Sequence, residues 1–233
     1  MRLDDPGVVD LEYRSLHRLA LRRLDQSATV SGQMEWTVAL DLVAQAHPQR
    51  VLDAGSGSAD FAAAIAAPQV MCLDSSPAAV QAAQRRGLEA VLGSIEEIPF
   101  GDGSFDVVTC NWTLYHLAHL DRGLAELARV LRSGGRFVGM YNFPDHLEEV
   151  WEATGVNDEP NSFDAETGAA HLARHFLEVR REETKGAASW GDQASLQTYL
   201  NAYLELVGPL QAPPGPYPFQ ARRHNCVFRA VKG

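Results

Sequence analysis

The sequence predicts an α/β fold, a doubly wound and mostly parallel sheet, from two observations. From residue 50 onward, short apolar runs rich in β-formers alternate with alanine-rich helical stretches. The runs are continuous rather than polar at every second place, as strands covered on both faces must be, and the stretches between them are long enough for right-handed crossovers. The chain has 233 residues, enough for one substantial core with additions, and its 45% hydrophobic and 21% charged content is that of an ordinary folded domain.

Taken in order, residues 8 to 25 place Leu11, Leu16, Leu19, Ala20 and Leu24 near helical spacing, which predicts a leading helix. Ser31 is expected to cap a second helix from Gln33 to Ala46, with Met34, Val38, Leu42 and Val43 on one stripe and Pro48 closing it. The strand candidates are RVLDA, QVMCLD, EAVLG, FDVVTCN and RFVGMY; SADFAAAIAA, PAAVQAAQRR and DRGLAELARVLR are the helices between several of them. Gly134 and Gly135 read as the left-handed cap that ends the last of these helices. Beyond Tyr141, HLEEVWEAT predicts a helix, HLARHFLEVRREE a helix running into a strand, and SLQTYLNAYLELVG another helix. Pro209, Pro213, Pro214, Pro216 and Pro218 then enforce an extended connection to a last strand in HNCVFRAVKG. The expected layout is one domain over 1–233: a helical cap at 1–45, a core at 46–142, and a C-terminal half at 143–233 with a helical insertion before the last strand.

The formal charge of −10 disfavours a nucleic-acid partner, because displacing phosphate counterions calls for a cationic surface. The pairs Arg22-Arg23, Arg85-Arg86, Arg180-Arg181 and Arg222-Arg223 read as solvated element ends, and only a fold that gathered them would make a basic patch. Cys72, Cys110 and Cys226 stand singly in apolar runs, as buried thiols of a reduced protein do. The start MRLDDPG is not a secretion leader, and no run approaches the ~20 apolar residues of a membrane span. A cytoplasmic location without membrane partners is the expectation.

The chemistry concentrates in VLDAGSGSADFA, residues 51 to 62: a strand, Asp53, then Gly55 and Gly57 before a helix. In an open parallel sheet, ligands bind beyond the carboxyl ends of the strands, and glycines there let the backbone approach the ligand. A dinucleotide fingerprint wants glycine or alanine three residues after the second glycine. Here that place is Asp60, whose carboxylate would oppose a pyrophosphate and tolerate a cationic nucleoside.

On these residues the segment resembles the first motif of class I S-adenosylmethionine-dependent methyltransferases, with Ala59 where a third glycine is usual. MCLDSSPAAV, VLGSIEEIPFGDGSFDVVTCNWTLYHL and LARVLRSGGRFVGMY resemble the family's following segments in the same order, with Ser133 where proline is common, so the likeness covers about residues 33 to 142. The resemblance implies a seven-stranded Rossmann-like sheet. It also implies S-adenosyl-L-methionine as cofactor, S-adenosyl-L-homocysteine as product and a small-molecule methyl acceptor. By position, Asp53, Gly55 and Gly57 would surround the methionine part; Asp74, with Ser75 beside it, the ribose hydroxyls; Ser94 and Ile95 the adenine; and the Asn111 backbone the methionine amino group. Many relatives have aspartate where Ser94 stands.

His116 lies after the fourth core strand, where the resemblance puts the methyl group, and an imidazole there either takes a proton or shapes the pocket. His116, His119 and Asp121 are read as structural or solvent-facing rather than as metal ligands, since no second ligand cluster accompanies them and the transfer needs no metal. Trp36, Trp112, Tyr115, Tyr141 and Trp151 line a cavity or fill the core, and Tyr13 with His17 would form part of a lid. Two other functions fit the same motif: methylation of RNA or protein, and cofactor binding without catalysis.

Overall fold

The computed structural model describes residues 28–156, 161–203 and 208–233. The helix expected over 8–25, with Tyr13, His17 and Arg22-Arg23, lies outside the described residues. The elements begin with β1 (Thr29–Gly32), α1 (Glu35–Ala44), β2 (Arg50–Ala54), α2 (Asp60–Ala64), β3 (Gln69–Asp74), α3 (Pro77–Arg85), β4 (Glu89–Leu92) and β5 (Phe105–Thr109). A 3-10 turn (Leu114–His116) then leads to α4 (Leu120–Val130), β6 (Leu131–Asn142), α5 (Glu148–Thr154), α6 (Gly168–Leu172), β7 (Leu177–Trp190), α7 (Gln193–Asn201) and β8 (Phe219–Val231).

The sheet has eight strands in the order β1-β7-β8-β6-β5-β2-β3-β4. Pairing is parallel from β4 through β3, β2 and β5 to β6. It turns antiparallel at β8, β7 and β1. Because β3 and β5 flank β2, the chain reverses direction across the sheet there, which opens a crevice at the carboxyl ends of these strands.

The continuous apolar runs have a direct cause. Val51, Val107 and Val138 enter a core under α1 with Val38, Leu42 and Phe61, while their neighbours Leu52, Val108 and Phe137 enter the opposite core with Leu124 and Leu127 of α4. Local chemistry starts α3 sharply, with Pro77 in its first turn and the Ser76 hydroxyl accepting from the Ala79 N–H at 3.4 Å.

Three expectations need correction. Ser31 caps no helix: it sits in β1, and the N-cap of α1 is Met34, which makes no side-chain capping bond. β1 makes eight strands where seven were expected, and a strand stands inside the segment read as a helical cap. Its place is set by two glycines, since a Cβ on Gly186 of β7 would lie 2.0 Å from the Ser31 carbonyl oxygen. Gly134 and Gly135 do not cap α4, which ends at Val130 on an extended Leu131. They bend the start of β6 instead, where Gly134 (φ +71°) donates to the Lys232 carbonyl at 2.9 Å.

β7 and β8 remain paired as far as Trp190 and Phe219, beyond the point where Asn142 of β6 meets Asn225. This arm carries a third core with α5 and α7, built on Leu147, Val150, Trp190, Leu196, Tyr199 and Leu200. No described helix is long and apolar enough to cross a membrane.

Gly186→Ala tests the seating of β1, because the new methyl meets backbone that cannot swing aside. The expected cost is about 1–3 kcal/mol, as for overpacking elsewhere. That lowers Tm by roughly 2–4 °C per kcal/mol for a chain of this size. A melting curve that overlays the wild type would remove the close approach.

Candidate functional site

Three left-handed residues shape the loop after β2: Gly55 (φ +75°), Gly57 (φ +51°) and Ala59 (φ +57°). The alanine takes this conformation at a modest cost, so the loop keeps its path without a third glycine. The N–H groups of Gly55 and Ser56 both donate to the Leu73 carbonyl, at 2.7 and 3.2 Å, which holds the loop against the end of β3.

Asp74 ends β3 and turns its carboxylate toward that loop. One oxygen accepts the Gly57 N–H at 2.8 Å and the other the Ser76 N–H at 2.9 Å. Burial pushes its pKa up, and backbone hydrogen bonds from Ser76, Gly57 and Ser75 pull it back down. A carboxylate offers about four acceptor sites. These N–H groups do not use all of them, and what is left suits a vicinal diol.

Asp53 lies in the buried end of β2, and its partner across the parallel register is Thr109 of β5. The Thr109 hydroxyl donates to Asp53 at 2.6 Å. Burial still pushes the Asp53 pKa up to about 7, with Thr109 opposing the rise and the neighbouring Asp74 charge adding to it. A cation placed near this carboxyl would favour its ionised form.

Beyond β5, Asn111 turns its side chain into the sheet, where its Oδ1 accepts the Met140 N–H at 3.1 Å. Its own carbonyl accepts from the Thr113 hydroxyl at 2.8 Å. Thr113 also packs on the glycine loop so closely that a Cβ on Gly55 would lie 2.5 Å from its side chain. Gly55 is thus required both by its backbone angle and by this contact. Sequence reasoning missed Thr109 and Thr113; the available signal was a hydroxyl inside an apolar strand, opposite Asp53 in a parallel register.

Ser94, exposed past β4, accepts the Glu96 N–H at 3.0 Å. Ile95 next to it is buried in the core beside α4, and Gly93 donates to the Asp74 carbonyl at 3.0 Å, so this segment is hung on the end of β3. His116 ends the 3-10 turn and lies edge-on to Tyr115, with ring centroids 4.4 Å apart. The structure therefore brings Asp53, Gly55, Gly57, Asp74 and Ser75 to one junction, sets Asn111 beside it through Thr113, and reaches Ser94 and Ile95 by the strand after α3.

Asp121 is engaged by His175 at 2.9 Å, and no cluster of three metal-ligating side chains occurs among the described residues. Tyr141 is core, with its hydroxyl on the Cys110 carbonyl at 2.7 Å, while Trp36 packs edge-on against Phe61 and Trp151 packs in the third core. Asp60 is neutralised by an ion pair with Arg86 and also accepts from the Ser58 hydroxyl. Asp53, more deeply placed, has the Thr109 hydroxyl and no cation beside it among the described residues.

A methyltransferase domain model matches residues 52–139. The chain is 35% identical over 202 residues to demethylmenaquinone methyltransferase of Mycolicibacterium gilvum, covering 78% of this chain and 87% of that enzyme. It is 36% identical over 98 residues to the uncharacterized methyltransferase YcgJ of Bacillus subtilis, a stretch that spans only 39% of that protein. The YcgJ crystal structure superposes with a TM-score of 0.58 at 18% identity, over 84% of this chain and 98% of that one. N-methyltransferase NodS of Bradyrhizobium japonicum, solved with S-adenosyl-L-homocysteine, gives 0.53 at 15% identity over 99% and 94%. At such identities the superpositions show a shared fold.

The raised Asp53 pKa has a signed consequence for the ligand-free protein. Between the ordinary carboxyl value of 3.8 and about 7, the folded state holds a proton that the unfolded state has released. Stability therefore falls as pH rises through this window, and the full cost is present above it. Asp53→Asn keeps an acceptor for Thr109 and has no charge to bury, so its melting temperature should match the wild type near about pH 4 and exceed it near about pH 8. An offset that stayed constant with pH would show that Asp53 is not the titrating group.

Proposed function

Because the chain belongs to the class I S-adenosylmethionine-dependent methyltransferases, we propose that it transfers a methyl group from S-adenosyl-L-methionine to an oxygen, nitrogen or carbon atom of a small molecule. The observation that carries this reading is the buried Asp74 carboxylate, oriented by the backbone N–H groups of Gly57 and Ser76 with acceptor capacity to spare, at the strand end where the ribose belongs. Asp53, Gly55 and Gly57 are assigned to the methionine part, Ser75 to the ribose side, Ser94 and Ile95 to the adenine, and the Asn111 backbone to the methionine amino group.

When bound, the cofactor supplies a methyl group already activated by its sulfonium, so the chain's own work is alignment and exclusion of water. Asp53 answers the positive charge, and Thr113 holds the Asn111 and Gly55 backbones in register. His116 is the candidate to take the acceptor's proton where the acceptor must lose one.

A small acceptor is favoured over RNA by the arginines. Arg86 is bound to Asp60, Arg222 to Asp145 at 2.8 Å and Arg223 to Glu35 at 2.5 Å, so these three are neutralised by carboxylates rather than left for phosphates. The name of the Mycolicibacterium gilvum relative adds support for an aromatic, quinone-like acceptor. Free thiols at Cys72, Cys110 and Cys226, all buried, are in keeping with a cytoplasmic enzyme.

Calorimetry with S-adenosyl-L-methionine and S-adenosyl-L-homocysteine, followed by a labelled-methyl screen over hydroxylated aromatics and amines, tests the reading. Asp74→Ala should weaken both nucleosides at least ~10-fold, in line with the loss of a charged double acceptor. Failure of the wild type to bind either one would end the proposal, and binding without any transfer would favour a cofactor-binding module. His116→Asn should cut turnover by about 10²–10⁴ if His116 is the base, while near-full activity would reduce it to a pocket wall.

A further inference from the structure

The carboxyl end of β6 carries two side chains that the cofactor site does not use, Asn142 and His146, and neighbouring groups dictate the orientation of both. An indole nitrogen only donates, so the Trp112 Nε1–H at 2.9 Å fixes the Asn142 atom facing it as Oδ1. The same Oδ1 also accepts from Asn225 Nδ2 at 2.6 Å. With the oxygen committed twice, the Asn142 NH2 group must point the other way. A backbone N–H likewise only donates, and that of His224 reaches His146 Nδ1 at 3.1 Å. Nδ1 is therefore the bare nitrogen, and in the neutral ring Nε2 carries the proton.

The His146 ring stays neutral, since burial and the Arg223 guanidinium drive its pKa down to about 3, against weaker pulls from Asp145 and the His224 backbone. Arg223 itself is closed off by Glu35, and Asp145 by His224 and Arg222. Asn142 and His146 are both half-buried, and among the described residues their side-chain hydrogen bonds all run through Asn142 Oδ1 and His146 Nδ1, leaving the Asn142 NH2 and the His146 Nε2–H facing elsewhere. Their anchors are consecutive residues of β8, the Asn225 side chain for Asn142 and the His224 backbone for His146. Trp112, which holds Asn142, directly follows Asn111, the residue assigned above to the methionine amino group.

We infer that Asn142 Nδ2 and His146 Nε2–H form a donor pair for an ionised oxygen of the methyl acceptor, a phenolate or enolate. This rests on the methyl-transfer reading above. Two oriented, uncharged donors in a partly dry site stabilise such an oxygen over its protonated form, because they cost no reorganisation when the charge arrives. The hydroxyl proton leaves as the acceptor binds, to His116 where that imidazole is the base and otherwise to water, and the acceptor is ionised, and so nucleophilic, near neutral pH.

Spectrophotometric titration of p-nitrophenol bound to the protein saturated with S-adenosyl-L-homocysteine tests this. The wild type should prefer phenolate over phenol by about 10-fold, seen as a bound-probe pKa lower by about one unit. Asn142→Asp keeps the acceptor for Trp112 and Asn225 but replaces the outward NH2 by a carboxylate oxygen, so the shift should reverse sign. His146→Phe should abolish most of it, and His146→Gln, which can accept from His224 and still donate outward, should restore it. A merely structural role predicts no reversal. The inference is overturned if the wild type fails to bind the probe, binds both forms equally, or matches Asn142→Asp. Calorimetry of S-adenosyl-L-homocysteine on each variant reports folding, and titration of the probe without the nucleoside separates a failed donor pair from a failed cofactor assignment.

Discussion

The site depends on one carboxylate bridging two stretches of backbone. Asp74 accepts the N–H of Gly57 from the loop after β2 and the N–H of Ser76 at the start of α3. Those bonds offset the desolvation of a charge that would otherwise favour its protonated form. The same strand end holds the loop a second time through the Leu73 carbonyl, and it holds the segment before Ser94 through its own carbonyl. The residues proposed for the sugar, the methionine and the adenine are thereby tied to the last two residues of β3. The glycines follow from this constraint, because a loop drawn so tightly onto β3 must pass through left-handed conformations.

Electrostatics at the junction are asymmetric. Asp74 has two backbone donors, whereas Asp53 has one hydroxyl and no cation, and its pKa near 7 records the difference. A carboxyl left in that state is costly to the empty protein and useful to one that binds a positive charge. The buried thiols nearby are affected in the opposite functional sense: burial first, and then the Asp53 charge, push Cys72 up to about 12, and Cys110 rises to about 12 for similar reasons. Neither is a nucleophile near neutral pH. Negative charge in this crevice thus suits the proposed cationic nucleoside and leaves the adjacent sulfurs inert.

What was legible in the sequence was what local pattern encodes. The apolar runs of β2, β3 and β5, the helices between them, and Asp53, Gly55, Gly57 and Asp74 all sit within short windows whose chemistry is self-contained. What was not legible depends on pairing across long separations. β1 is four residues, TVSG, with no periodicity to distinguish it from a helix approach, and it exists because Gly186 leaves room for it. Thr109 matters because the parallel register sets it opposite Asp53, and Asp60 lost its expected role to Arg86, which α3 delivers from 26 residues away. Gly134 and Gly135 were misplaced for the same reason: their partner is Lys232, at the far end of the chain.

The two halves of the sheet divide the labour according to their pairing. Parallel strands place all their carboxyl ends on one edge, which suits a cofactor that must lie across several of them. The antiparallel half behaves differently, because β7 and β8 pair with each other past the end of β6 and form a wall standing above that edge. Along it, polar side chains separate the core under α1 from the third core: Glu35 with Arg223, then Asn225 with Asn142 and Trp112. Buried polar groups are expensive unless paired, and each additional pairing removes an orientation the side chain could otherwise adopt. Asn142, held through its oxygen by both Trp112 and Asn225, therefore presents its NH2 group on the other side. In this fold the rigidity needed to position an acceptor comes from a polar seam between two cores, and the seam follows from extending two antiparallel strands beyond the parallel sheet.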